Sequence, residues 1–86
     1  MNIEKTIVKL QKQFPDIWFK DGADFSNSHK GTIWTGEGSY IDGYSAFSYY
    51  DSSNTMGIHP KFEEALNKLG LWAEFYDPGT VFLYKD

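Results

Sequence analysis

The sequence predicts an α+β fold, two helices packed on one face of a small antiparallel sheet, on three observations. Two stretches carry apolar residues at helical spacing. The chain between them breaks into short β-prone runs punctuated by glycine. The C-terminal part is two apolar runs about an Asp-Pro-Gly-Thr turn. Each helix stripe needs a sheet face to bury against, so helix, two or three strands, helix and β-hairpin is the expected order within one domain spanning residues 1–86.

From Asn2 to Phe14, Ile3, Ile7, Leu10 and Phe14 recur at i, i+4, i+7 and i+11 and draw one stripe, which Val8 widens. Pro15 ends this helix, because the residue before proline is pushed out of the helical region. Asp16 to Lys20 reads as a short strand and Asp21 to Gly31 as a loop, with Asp21, Asp24 and Asn27 as turn formers. Thr32 to Thr35 reads as a second strand. Gly36, Gly38 and Gly43 then interrupt the chain around Tyr40 and Ile41, in either a continuous meander or a glycine-bent hairpin. Ala46 to Tyr50 resumes as a strand, and Asp51 to Gly57 is a polar turn.

Pro60 suits a first helical position, with His59 before it as a cap, and Phe62, Leu66 and Leu69 line one face as far as the stop at Gly70. Leu71 to Lys85 reads as a hairpin. With Pro78 and Gly79 central to a type II turn, Phe75 faces Phe82, unless a bulge shifts the register. The expected core is Ile3, Ile7, Leu10, Phe14, Phe62, Leu66, Leu69 and one face of this hairpin.

Composition excludes several functions. The chain has no cysteine, so neither disulfides nor a thiolate zinc site supplement the core, and stability rests on the aromatics, 19% of residues. No apolar run approaches a membrane span, which leaves a soluble, cytoplasmic protein as the expectation. The net charge of -4, the scattered lysines and the lack of arginine argue against nucleic-acid binding. His29 and His59 match no zinc spacing, and Glu37 with Asp42 has nothing to fix it as an acid and base pair. No G-x-S-x-G elbow occurs. The expectation is a protein that is not an enzyme and has no metal or cofactor.

The richest segment is Trp34 to Tyr50, WTGEGSYIDGYSAFSYY. It has two readings. In one, its rings supply the core on either side of a glycine turn. In the other, Trp34, Tyr40 and Tyr44 anchor a binding surface with Glu37 and Asp42 as hydrogen-bond acceptors, since tyrosine and tryptophan offer large contact area at low entropic cost. A protein partner suits that surface, and a small molecule or sugar is the alternative. A third reading, an acidic mimic of DNA, needs a dense carboxylate array, whereas the twelve acids here are offset by eight lysines.

With this block, the Gly57-Ile58-His59 step and the AEFYDPGT tail (Ala73 to Thr80), the chain resembles a group of small bacteriophage- and prophage-encoded proteins over roughly residues 32 to 84. The shared pattern is W-x-G-E-G-S-Y-I-D-G, F-x-Y-Y, G-[VI]-H and A-E-x-Y-D-x-G-T. The resemblance implies expression in a bacterial host's cytoplasm and, by analogy with small acidic phage proteins, a host protein as partner. It brings no activity, cofactor or catalytic residue.

Overall fold

The computed structural model describes residues 1–49 and 57–86. In chain order its elements are α1 (Ile3–Gln13), β1 (Lys20–Asp21), β2 (Ile33–Gly36), β3 (Tyr40–Ile41), β4 (Tyr44–Ser45), α2 (Pro60–Lys68), β5 (Leu71–Asp77) and β6 (Thr80–Lys85). Strands β1, β2, β6 and β5 lie in that spatial order in one antiparallel sheet, and β3 pairs with β4 as a separate hairpin. The class is α+β, as the periodicities predict.

Both helices begin and end on local chemistry. Asn2 Oδ1 accepts from Lys5 N at 3.0 Å and starts α1. His59 Nδ1 accepts from Lys61 N at 3.1 Å and starts α2, with Pro60 at the first helical position. Gly70, at φ 70°, takes the left-handed step that ends α2. Leu10 and Phe14 from the first helix and Phe62, Ala65 and Leu66 from the second pack with Ile33, Leu71, Val81 and Leu83 on one face of the sheet. Ile3, Ile7 and Leu69 join at the margin. Val8, by contrast, stays exposed, because its position one residue after Ile7 turns it about 100° off the buried stripe.

The expected strand at Asp16 to Lys20 forms only at its end, where β1 starts with Lys20. The segment's backbone is satisfied in other ways. Gln11 Nε2 donates to the carbonyls of Phe14 at 3.1 Å and Ile17 at 2.7 Å, Thr35 Oγ1 to that of Trp18 at 2.6 Å, and Tyr40 N to that of Asp16 at 3.0 Å. Ile17 and Phe19 are thereby turned into the core. The expected Ala46 to Tyr50 strand is likewise replaced over its described residues by one bridge, Phe47 to Ile58. Ala46 N donates to Ser39 O, one step beyond the last β3–β4 pair, Ser48 N donates to Gly57 O and His59 N to Ala46 O as the bonds of that bridge, and Tyr50 lies outside the described residues. So does the expected turn at 51–57, except for Gly57.

The final hairpin forms, with two corrections. Gly79 does not take a left-handed φ, so the turn is not type II. Asp77 Oδ1 accepts from Gly79 N at 2.9 Å, and Gly79 O accepts from Glu37 N at 3.0 Å, so the turn is held from both sides. The register shifts between Phe75 and Asp77, which sets Phe75 opposite Val81 and Phe82 opposite Glu74. Phe75 and Phe82 therefore lie on opposite faces of the sheet, and Phe82 joins a second aromatic assembly.

Candidate functional site: the outer face of the sheet

Successive strand residues point to opposite faces, so the register that buries Ile33, Val81 and Leu83 under the helices turns Trp34, Phe82 and Tyr84 outward. One cross-strand row reads Lys20, Trp34, Phe82, Glu74, each residue paired with the next. Trp18 closes one end. Its ring meets that of Trp34 edge-on at 5.5 Å, and its indole Nε1 donates to Glu37 O at 2.9 Å. Lys20 Nζ stands 5.1 Å from the Trp34 ring centre and 5.6 Å from that of Trp18, within cation–π range of both.

The middle of the row is covered by the chain itself. Two single-turn 3₁₀ helices, Gly22–Asp24 and Asn27–His29, fold over it. Asp21 Oδ1 caps the first by accepting from Ala23 N at 2.9 Å, the turn-forming role expected for it. Phe25 stands edge-on to both Trp34 (5.2 Å) and Phe82 (5.0 Å), while His29 stacks flat on Phe82 at 3.8 Å. His29 Nδ1 is 2.8 Å from Ser26 Oγ. This contact ties the second 3₁₀ turn to the residue that precedes it.

At the β5 end the face is open. Trp72, Glu74 and Tyr76 alternate along the strand; Trp72 is 42% and Tyr76 58% exposed. Trp72 stacks on Tyr84 at 4.6 Å, and Tyr76, despite the register shift beside it, stays on the outer side with its ring 5.8 Å from Phe82. Burial first, and the charge of Glu74 second, push the Tyr84 phenol above the usual tyrosine range.

The structure distributes the five residues singled out in the sequence between the outer face of the sheet, its margin beside Gly79 and the β3–β4 hairpin. Trp34 belongs to the outer face. Glu37 is exposed beside Gly79 and reaches that face only through its carbonyl, held by Trp18. Tyr40 and Tyr44, 50% and 72% exposed, sit on the β3–β4 hairpin. Its tight turn has Asp42 at φ 51° and Gly43 at φ 84°, as an Asp-Gly two-residue loop favours. Asp42 accepts from Lys61 Nζ, and that bond, with the lysine's charge, holds its carboxyl below the usual carboxylate range. Both groups are exposed, so the pair tethers the hairpin to α2 without adding much stability.

Trp18, Phe25, Trp72, Glu74, Tyr76 and Tyr84 were not expected at a site; the alternation of Trp72, Glu74 and Tyr76 with Leu71, Ala73 and Phe75 was the available signal. Among the described residues no three His, Cys, Asp or Glu side chains gather where a metal ion could be held, and no helix is long and apolar enough to cross a membrane. No protein-family model, curated protein or solved structure matches the chain.

Proposed function

We propose that this chain is a non-enzymatic binding protein that engages a protein partner through the outer aromatic and acidic face of its sheet. The observation that carries the reading is the pair of exposed rings, Trp72 and Tyr76, standing on either side of Glu74 on a face that neither helix covers. Exposed rings of this kind suit a protein surface, because large amphipathic side chains lose little conformational entropy on contact. A sugar or other small ligand needs the rings to line a hollow. The hollow of about 400 Å³ beside Trp18 is walled otherwise by Gln11, Pro15, Asp16, Ile17 and Gly38. The resemblance to phage-encoded proteins makes a bacterial host protein the partner to seek.

Affinity capture from bacterial lysate with quantitative mass spectrometry tests this reading. The expected result is one or a few proteins retained by the wild type and by Val8→Ala but reduced about tenfold or more by Trp72→Ala and by Tyr76→Ala, with thermal melts showing all variants folded. Equal retention by both face variants would sink it, and loss with Tyr44→Ala alone would move the site to the β3–β4 hairpin. Affinity should fall only a fewfold between about 50 and 200 mM salt, whereas a nucleic-acid mimic loses decades.

A further inference from the structure

Glu74 is the unusual member of the outer face. It carries a negative charge between two exposed rings and, among the described residues, makes no hydrogen bond or ion pair. The lysines of β1, β6 and α2 are committed elsewhere: Lys85 Nζ donates to Leu69 O at 3.1 Å, Lys68 pairs with Glu64 at 3.4 Å, Lys61 pairs with Asp42, and Lys20 lies over Trp34 and Trp18. Lys30, exposed at the end of the second 3₁₀ turn, makes no ion pair with Glu74. The far end of the same cross-strand row thus already seats a cation on two rings, while the Glu74 end offers rings and a carboxylate without one.

Resting on the reading that this face binds a protein, we infer that the shelf formed by Trp72, Glu74, Tyr76 and Tyr84 receives the guanidinium group of an arginine on the partner. Alternate residues of a strand lie about 7 Å apart on one face, so Trp72 leaves β5 beside Glu74 on one side, and Tyr76, past the register shift and packed against Phe25, His29 and Phe82, lies on the other. A guanidinium stacks on aromatic faces and donates in a fork that matches a carboxylate, whereas a lysine ammonium is a strongly hydrated point charge that matches neither as well. A polyol hydroxyl can also donate to a carboxylate, but it carries no charge to set against that of Glu74 and no planar fork to match its two oxygens.

A second copy of the chain is not the occupant. The chain contains no arginine. Antiparallel pairing of β5 with its own copy about the strand centre sets Glu74 against Glu74, a like-charge pair that destabilises. Stacking of two outer faces is obstructed by Phe25 and His29, which already lie on Phe82. The occupant is therefore a different, basic chain.

The test uses the whole ¹⁵N-labelled protein titrated with a blocked Gly-Arg-Gly peptide and, in parallel, with the same peptide carrying citrulline, a neutral analogue of nearly the same shape. The Trp72 indole N–H and the amides of β5 should shift saturably with the arginine peptide, at a dissociation constant on the order of millimolar for so small a probe. The citrulline peptide should leave them in place, and Glu74→Gln should weaken arginine binding about threefold to tenfold. A second readout is the tyrosine ultraviolet titration: bound arginine, still charged at that pH, should bring Tyr84 ionisation back toward the ordinary range. Equal shifts with citrulline, or an unchanged affinity in Glu74→Gln, would overturn the inference. A captured partner that depends on Trp72 and Tyr76, yet survives Glu74→Gln and is not displaced by the arginine peptide, overturns the arginine assignment alone and leaves the protein-binding reading intact.

Discussion

Replacing Phe62 by alanine is expected to remove about 3 to 5 kcal/mol of stability, half or more of what a domain this small possesses. The ring is 0% exposed and is where separate parts of the fold meet. Phe14 at the end of α1 stands edge-on to it at 5.2 Å, Phe47 edge-on at 5.5 Å, and Phe19 lies tilted at 6.1 Å. Truncation leaves a cavity bordered by rings from three segments that no small movement can close together. Urea unfolding should show the midpoint falling steeply with the slope unchanged. A loss below about 1.5 kcal/mol would mean that the core does not converge on this ring.

Gly36→Ala is expected to cost about 2 to 3 kcal/mol for a different reason. A Cβ there would stand 2.2 Å from Gly79 O, 3.1 Å from Gly79 C and 3.2 Å from Thr80 Cα, all backbone atoms that no rotamer change can move. The β2 strand and the β5–β6 turn have to separate, breaking the bond from Glu37 N to Gly79 O. Gly43→Ala is the matched control. Gly43 sits at φ 84° with nothing within 4 Å of its Cβ position, so only the left-handed backbone penalty of about 1 kcal/mol applies. Thermal unfolding of the two variants side by side decides it. Should Gly36→Ala prove the milder change, the contact between β2 and the turn is not as close as described.

These two positions also show what the sequence made legible. Phe62 was readable as core because a helix writes its buried face into local spacing, and Asn2, Pro60 and Gly70 mark helix ends by side-chain and backbone chemistry that needs no tertiary partner. The contact of Gly36 with Gly79 was not readable, since it joins residues remote in the chain. The short strands failed for a related cause. Asp16 to Lys20 and Ala46 to Tyr50 are apolar runs without alternation, and their described backbone groups find partners such as Gln11, Thr35 and Ser39 rather than a continuous ladder. Of the meander and the hairpin that the glycines around Tyr40 and Ile41 allow, the hairpin forms, on the Asp42-Gly43 pair that a two-residue loop favours.

The site was half legible for a geometric reason. Nearness in sequence from Trp34 to Tyr44 suggested one surface, but the chain leaves the sheet after Gly36, so Trp34 stays on the outer face while Tyr40 and Tyr44 move to the hairpin. The opposite pairing, of Trp34 with residues of the C-terminal strands through Phe82, depends on a register that a single bulge beside the turn decides. In β5 both alternating sets carry a ring, so the pattern alone could not say that Leu71, Ala73 and Phe75 face the helices and Trp72, Glu74 and Tyr76 face outward.

The claim that the outer sheet face is the binding surface is tested most directly by mapping chemical-shift perturbations on the labelled protein when its captured partner is added. The account predicts that the largest changes fall on Trp72, Glu74, Tyr76 and Tyr84, fading toward Lys20 and Trp34, with the exposed sides of α1 and α2 unmoved. Perturbations confined to the helical side, or to Tyr40 and Tyr44 on the β3–β4 hairpin, would contradict it.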